Sequence, residues 1–240
     1  MMATRFSTYI GIDICSSRGH PMAFAVIDQD KVIRLLGRGE FEDAFAFLAG
    51  QSEGLLAIND PILGETLRLQ SIGDHTHSAH QKFGLPRSLY ESMLTDTYTQ
   101  RQKRLRKQLI QALGELEYIP FPVQHFPKQF AVHHSEAFFL NVLNREPISQ
   151  KSLEGRIQRQ VALALAGLNV PNAMRYYQEI TRHKLLTGQL PTNMVYTIGE
   201  LHALTCALTA WLLEHQPDNV HNFPLPQNMA CCLARIPPVV

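Results

Sequence analysis

Tyr9-Ile10-Gly11-Ile12-Asp13-Ile14 is the stretch on which the fold turns. Ile10, Ile12 and Ile14 fall at alternate positions and share one face of a β-strand, while Gly11 and Asp13 share the other. A carboxylate inside so apolar a strand is costly unless paired. Asp13 therefore has a partner or a metal, or it lies at a strand end and caps the Ser16-Ser17 turn. Working outward, Met22 to Asp28 and Val32 to Leu36 are two further short apolar runs, which predicts a three-stranded meander. Phe41, Ala44, Phe45 and Leu48 then recur at helical spacing before Gly50. Gly54 to Asn59 returns to a buried strand closed by Asp60-Pro61, so the opening order is β-β-β-α-β.

Beyond that opening, periodicity is lost from Gly64 to Ser92, where His75, His77 and His80 fall in an irregular excursion. Leu105, Leu109, Leu113 and Leu116 form a stripe that predicts a helix over Thr95 to Glu117, with Arg101, Lys103, Arg104, Arg106 and Lys107 on its other face. Gln129 to His134 reads as a fifth strand, and Leu153, Ile157, Val161 and Leu165 mark another helix. Asn172 to Leu186 and Ile198 to Leu213 complete a helical C-terminal half, and the proline-rich segment from Phe223 predicts an extended packing arm or a partly disordered tail.

Composition narrows the class. The 240 residues are 45% hydrophobic and 18% charged, which fits a globular core and excludes collagenous, coiled-coil and disordered chains. With 22 Lys+Arg against 21 Asp+Glu, the surface as a whole is not built to hold nucleic acid, although a local basic groove is compatible with that balance. Cys15, Cys206, Cys231 and Cys232 have neither disulfide-framework nor zinc spacing, which predicts a reducing compartment. No signal-type segment precedes Asp13, and the apolar stretch Leu201 to Leu213 is too short to span a bilayer. The expectation is a soluble cytoplasmic protein without a membrane partner.

Several other residues are candidates for chemistry, each with a plainer alternative. Asp60 leaves the sheet at a strand end, where reactive groups are placed, or it makes an Asx turn. Glu40 and Glu42 open the first helix, as site acids or as partners of the helix dipole. Glu200 and His202 begin the last helix two residues apart, so they point to different faces and at most one suits a metal; a lone His on a helix otherwise of Leu, Ala and Thr is alternatively a hydrogen-bonded core histidine. His75, His77 and His80 have ligand chemistry without standard metal spacing, and are otherwise solvated. Five cations between Arg101 and Lys107 suit phosphates or a solvated helix face, and Arg156 and Arg159 add basic residues on a second helix.

The opening order, with a helix, a strand and helices after it, resembles the ribonuclease H-like fold, whose acidic residues lie on the first strand, first helix, fourth strand and last helix. Four segments resemble the family called domain of unknown function 429, regarded as predicted nucleases of that fold: YIGIDI with AFAVID, LLAINDPILG, SEAFF with QKSLEGRIQRQ, and LHALTCALTAWLL. The resemblance implies an α/β protein with a mixed five-stranded sheet flanked by helices. It implies a ribonuclease H-like domain over residues 1–222, extra C-terminal helices and a tail over 223–240. By the same resemblance Asp13 matches the first-strand aspartate, and Glu136 the glutamate that ends the fifth strand. The chain departs from the family pattern at Asn59-Asp60, where the acid comes one residue late, and at His202, where the family has an aspartate.

The implied activity is phosphodiester hydrolysis of nucleic acid with Mg²⁺ or Mn²⁺. Asp13, Asp60, Glu42 and His202 would be catalytic, and Asp13, Asp60, Asn59, Glu40, Glu136 and Glu200 would hold metal. Arg101, Lys103, Arg104 and Lys107 would position the phosphate backbone. Two alternatives stand beside this one. GID with its polar loop also resembles the opening of actin-like small-molecule kinases, with Ser16, Ser17 and Gly19 at ATP phosphate. Asn59 and His202 also suit a non-catalytic module of the same fold that binds nucleic acid or protein.

Overall fold

The computed structural model describes residues 6–14, 21–60, 100–179, 186, 188, 194–224 and 230–234. The meander is present: β1 (Tyr9–Ile14), β2 (Met22–Ile27) and β3 (Ile33–Gly39) pair antiparallel in sequence. Helix α1 (Phe41–Ala49) then carries the chain back so that β4 (Gly54–Asn59) lies parallel to β1 on its other side. The basic helix α2 (Gln100–Glu115) is followed by the short β5 (Ile119–Pro120) and by β6 (Lys128–His133), parallel to β4.

The sheet is larger than expected. Among the described residues it has eight strands where five were expected, in the order β3-β2-β1-β4-β6-β8-β7 with β5 beside β6. The additional strands β7 (Val220–Pro224) and β8 (Ala230–Ala234) pair antiparallel with each other, and β8 joins β6 in parallel at Val132↔Cys231. The arm expected from Phe223 is therefore sheet at Phe223, Pro224 and 230–234, and the boundary expected between 222 and 223 falls inside a strand. Prolines punctuate this segment, which masks strand signals in the sequence.

Helix α3 (Ser135–Leu143) follows β6 directly, then α4 (Leu153–Leu165), the five-residue α5 (Arg175–Glu179) and α6 (Ile198–His215). The α/β mixture with helices on both sheet faces follows from strand alternation. Ile10, Ile12, Ile14, Leu56, Ile58, Phe130 and Val132 pack with Leu48 of α1 and Leu105, Leu109 and Leu113 of α2. Tyr9, Ala23, Ala25, Leu55, Ala57 and Ala131 pack with Leu201, Leu204 and Leu208 of α6. Small residues dominate this second face, so α6 comes close. A Cβ built on Gly11 would lie 1.9 Å from the Ala203 carbonyl oxygen and 2.4 Å from the Ala207 nitrogen, so only glycine fits where the helix crosses β1. Among the described residues no helix is long and apolar enough to cross a membrane.

Candidate functional site

Parallel pairing brings the carboxyl ends of β1, β4 and β6 to one edge of the sheet. Asp13, Asn59 and His133 are neighbours across them, and Cys232 of β8 follows one position beyond the Val132↔Cys231 pair. Asp13 and His133 point toward α6, which faces them with His202, Thr205 and Thr209. The result is a buried polar layer between strand ends and helix.

Asp13 is 3% exposed and is not left unpaired. The Asn59 amide donates to its Oδ1 at 2.5 Å, and His202 Nδ1 lies 3.5 Å from the same oxygen. The opposite nitrogen of His202, Nε2, donates to Glu136 Oε1 at 2.8 Å. Glu136, in the first turn of α3, is also gripped by Arg159 of α4, with Nε to Oε1 at 3.0 Å and Nη2 to Oε2 at 2.6 Å. Arg159 is 2% exposed, and its Nη1 donates to the Ile148 and Gly155 carbonyls. Four ionisable side chains from β1, α6, α3 and α4 thus form one line: Asp13, His202, Glu136, Arg159.

The electrostatics follow from alternating charge. Burial opposes a charged imidazole, but Asp13 and Glu136 together outweigh it and push His202 up to about 9. Burial likewise opposes a charged Glu136, and His202 with Arg159 holds it down to about 2. His202 is therefore an imidazolium at neutral pH. His133 is the opposite case: burial takes it down to about 3, so it is neutral. Its Nδ1 donates to the Cys232 carbonyl at 2.9 Å, while its buried Nε2 has no partner. Burial also pushes the Cys206 thiol up, and that of Cys232 up to about 12, so neither is a nucleophile at neutral pH.

Asn59 connects this line to α3. Its Nδ2 serves Asp13, and its Oδ1 accepts from the Ser135 backbone N–H at 3.0 Å, at the start of the helix. The Ser135 hydroxyl accepts from Thr205 at 2.9 Å, tying α3 to α6.

The other expected site residues lie apart. Asp60 is 3% exposed but engaged by Arg106, whose Nε donates to Oδ1 at 2.8 Å and whose Nη2 donates to Oδ2 at 2.8 Å. Glu40 is exposed and caps α1, exchanging bonds with Asp43, and Arg101 stands 3.9 Å from it. Glu42 is exposed in the first turn of α1. Glu200 forms a capping box with Thr197 and pairs with Arg38 at 3.5 Å. Arg101, Arg104 and Lys107 are exposed on α2 and Lys103 is half-buried. Ser16, Ser17, Gly19, His75, His77 and His80 lie outside the described residues.

A two-metal centre does not fit the donor set in this state. The imidazolium stands between Asp13 and Glu136, Asp60 is neutralised by Arg106, and Glu40, Glu42 and Glu200 belong to helix starts elsewhere. Among the described residues no three His, Cys, Asp or Glu side chains are grouped to hold a metal ion. The sequence marked Arg159 only as an added basic residue on a second helix and assigned His133 no role. The expected stripe gave no signal for Arg159, which lies on the opposite side of α4 from Leu153, Val161 and Leu165; the helix buries Arg159 with Gly155, Ile157, Gln160, Ala162 and Leu163, while Leu165 is exposed.

Comparisons with known proteins found no matching family model, no matching curated protein and no matching solved structure.

Proposed function

We propose that the chain is a non-catalytic ribonuclease H-like module that binds the phosphate backbone of nucleic acid at the carboxyl-end edge of its sheet. The fold-level support is the β-β-β-α-β opening, kept with β1 between antiparallel β2 and parallel β4. The observation that carries the reading is the position of His202. Where a nuclease needs an open cluster of carboxylates to gather divalent cations, this chain has its own cation between Asp13 and Glu136. The charge that a metal would neutralise is neutralised internally, and the arrangement holds the fold together instead of offering open ligand positions.

Binding is assigned to α2 because of where that helix sits. Gln102 donates to the Ile14 carbonyl at the end of β1, and Arg106 holds Asp60 just past the end of β4. The stretch bearing Arg101, Arg104 and Lys107 therefore lies along the strand ends, the edge where open α/β sheets receive ligands. Exposed Arg and Lys on one helix contact phosphates and carry little base specificity.

Calorimetric titration of Mn²⁺ and Mg²⁺ into wild type and Asp13→Asn, with DNA and RNA incubated alongside, tests the proposal. The expected result is no saturable uptake in either protein, no metal-dependent cleavage, and oligonucleotide binding that weakens steeply with salt. Saturable uptake that Asp13→Asn abolishes, together with cleavage, would replace this reading with the metal-dependent nuclease.

A further inference from the structure

The basic run on α2 is not uniform. Arg101, Arg104 and Lys107 are exposed, but Arg106 turns inward and makes a two-pronged contact with the carboxylate of Asp60. The side chains of the pair are 16% and 3% exposed, so the contact is largely shielded from solvent. Asp60 is itself held, its backbone N–H donating to the His133 carbonyl across the sheet. Four residues before Arg106, Gln102 is buried and reaches the Ile14 carbonyl. Two side chains one turn apart thus fix α2 to the ends of β1 and β4, while Leu105, Leu109 and Leu113 pack behind them. Apolar packing alone lets a helix slide and rotate at small cost. A planar guanidinium gripping a planar carboxylate does not.

We infer that the Asp60–Arg106 pair is a positioning device for the phosphate-binding face: it touches no ligand, and it sets the rotation of α2 that presents Arg101, Arg104 and Lys107 along the strand ends. This rests on the proposed binding of nucleic acid. It assigns Asp60, a carboxylate near an anion site, the unexpected role of favouring anion binding.

The sign of that effect makes the test decisive. If Asp60 acts only through its charge, Asp60→Asn removes a negative group and leaves polyanion binding equal or tighter. If Asp60 positions the helix, Asp60→Asn weakens binding by about tenfold, the loss expected when one charge-assisted hydrogen bond to phosphate is misaligned. The measurement is fluorescence anisotropy of a labelled single-stranded polythymidylate across a salt series, on wild type, Asp60→Asn and Arg104→Gln. Arg104→Gln serves as the contact control, and its salt slope falls by about 0.7, the contribution of one phosphate contact on a single strand. Arg106→Lys keeps the net charge but loses the fork, so it also weakens binding. It decides the question should Asp60→Asn fail to fold. Wild-type or tighter affinity in Asp60→Asn, or wild-type affinity in Arg106→Lys, overturns the inference while leaving the binding reading intact. Absence of any salt-sensitive binding by wild type overturns the binding reading itself, and the inference with it.

Discussion

The two ends of β1 meet the same helix with opposite chemistry. On the side facing α6, β1 presents Tyr9, Gly11 and Asp13: a phenol at one end, a glycine at the crossing and a carboxylate at the other. At the Tyr9 end the hydroxyl lies 2.7 Å from the Glu214 carboxylate and 2.7 Å from His215 Nε2. Trp211 stacks on His215 with ring centres 4.4 Å apart, and Lys31 lies over Trp211 at 4.7 Å. Burial and Glu214 raise the Tyr9 hydroxyl well above its ordinary value, so it stays neutral. At the Asp13 end two acids alternate with two cations, all largely shielded from water. One end is an aromatic clamp around a single carboxylate. The other holds by compensating ions, which is costly to disturb and sensitive to proton concentration.

The largest effect is expected from removing the terminal cation of that line. Arg159→Met leaves Glu136 with one partner and strips donors from the Ile148 and Gly155 carbonyls, so urea unfolding should show a loss of about 3 to 5 kcal/mol. A loss under 1 kcal/mol would mean that the line contributes little and that the two ends do not differ as described. Next comes the crossing point between them. Gly11→Ala forces α6 off the sheet, because a backbone carbonyl and a backbone nitrogen stand where the methyl would go, at a cost of about 3 kcal/mol. This variant should loosen both ends together, seen as faster amide exchange around Asp13 and around Tyr9. Protection lost at one end alone would show that α6 does not move as a unit.

How much of this was legible in the sequence can be argued from the same residues. Alternation in YIGIDI puts Asp13 on one face and the isoleucines on the other, and the cost of a buried carboxylate demands a partner. His202 stood out as a lone imidazole on an apolar helix. That the two meet depends on the rotation of an 18-residue helix that is buried almost all round, and such a helix carries no amphipathic stripe to reveal its facing side. The same holds for α3, whose buried Ala137, Phe138, Phe139, Val142 and Leu143 leave little periodicity to read. The inward turn of half-buried Arg106 and the burial of Arg159 were invisible because charge predicts exposure unless the partner acid is known, and both partners lie elsewhere in the chain. Asp60 seemed the displaced metal ligand for the same reason. Its position one residue past the strand places it against Arg106 of α2, and Asn59 is the residue that meets Asp13.

The proton dependence of the two ends separates them further. His202 rises from 6.5 to about 9 on folding, so its proton stabilises the fold fully below pH 6.5, and that contribution is lost as pH rises through about 9. Its size is at most about 3 kcal/mol, from the shift alone. Wild type should therefore lose stability across pH 6.5 to 9, and His202→Gln should start lower and lack this slope. An equal slope in the variant would assign the pH dependence to other groups.

The smallest expected effect is at the opposite end, and it completes the contrast. Tyr9→Phe deletes one hydroxyl from the clamp, but Glu214 keeps the Phe6 backbone N–H and His215 keeps its stack on Trp211. The cost is that of one buried hydrogen bond, about 1 to 2 kcal/mol. Because a neutral phenol is replaced by a neutral ring and the imidazolium sits at the far end of β1, the loss should be the same at pH 6.5 and at pH 9. The wild-type slope across that window should survive unchanged. A Tyr9→Phe penalty that grows or shrinks with pH between those values would mean that the Tyr9 end is itself proton-sensitive, through groups in contact with the hydroxyl such as His215, and the contrast between the two ends would fail.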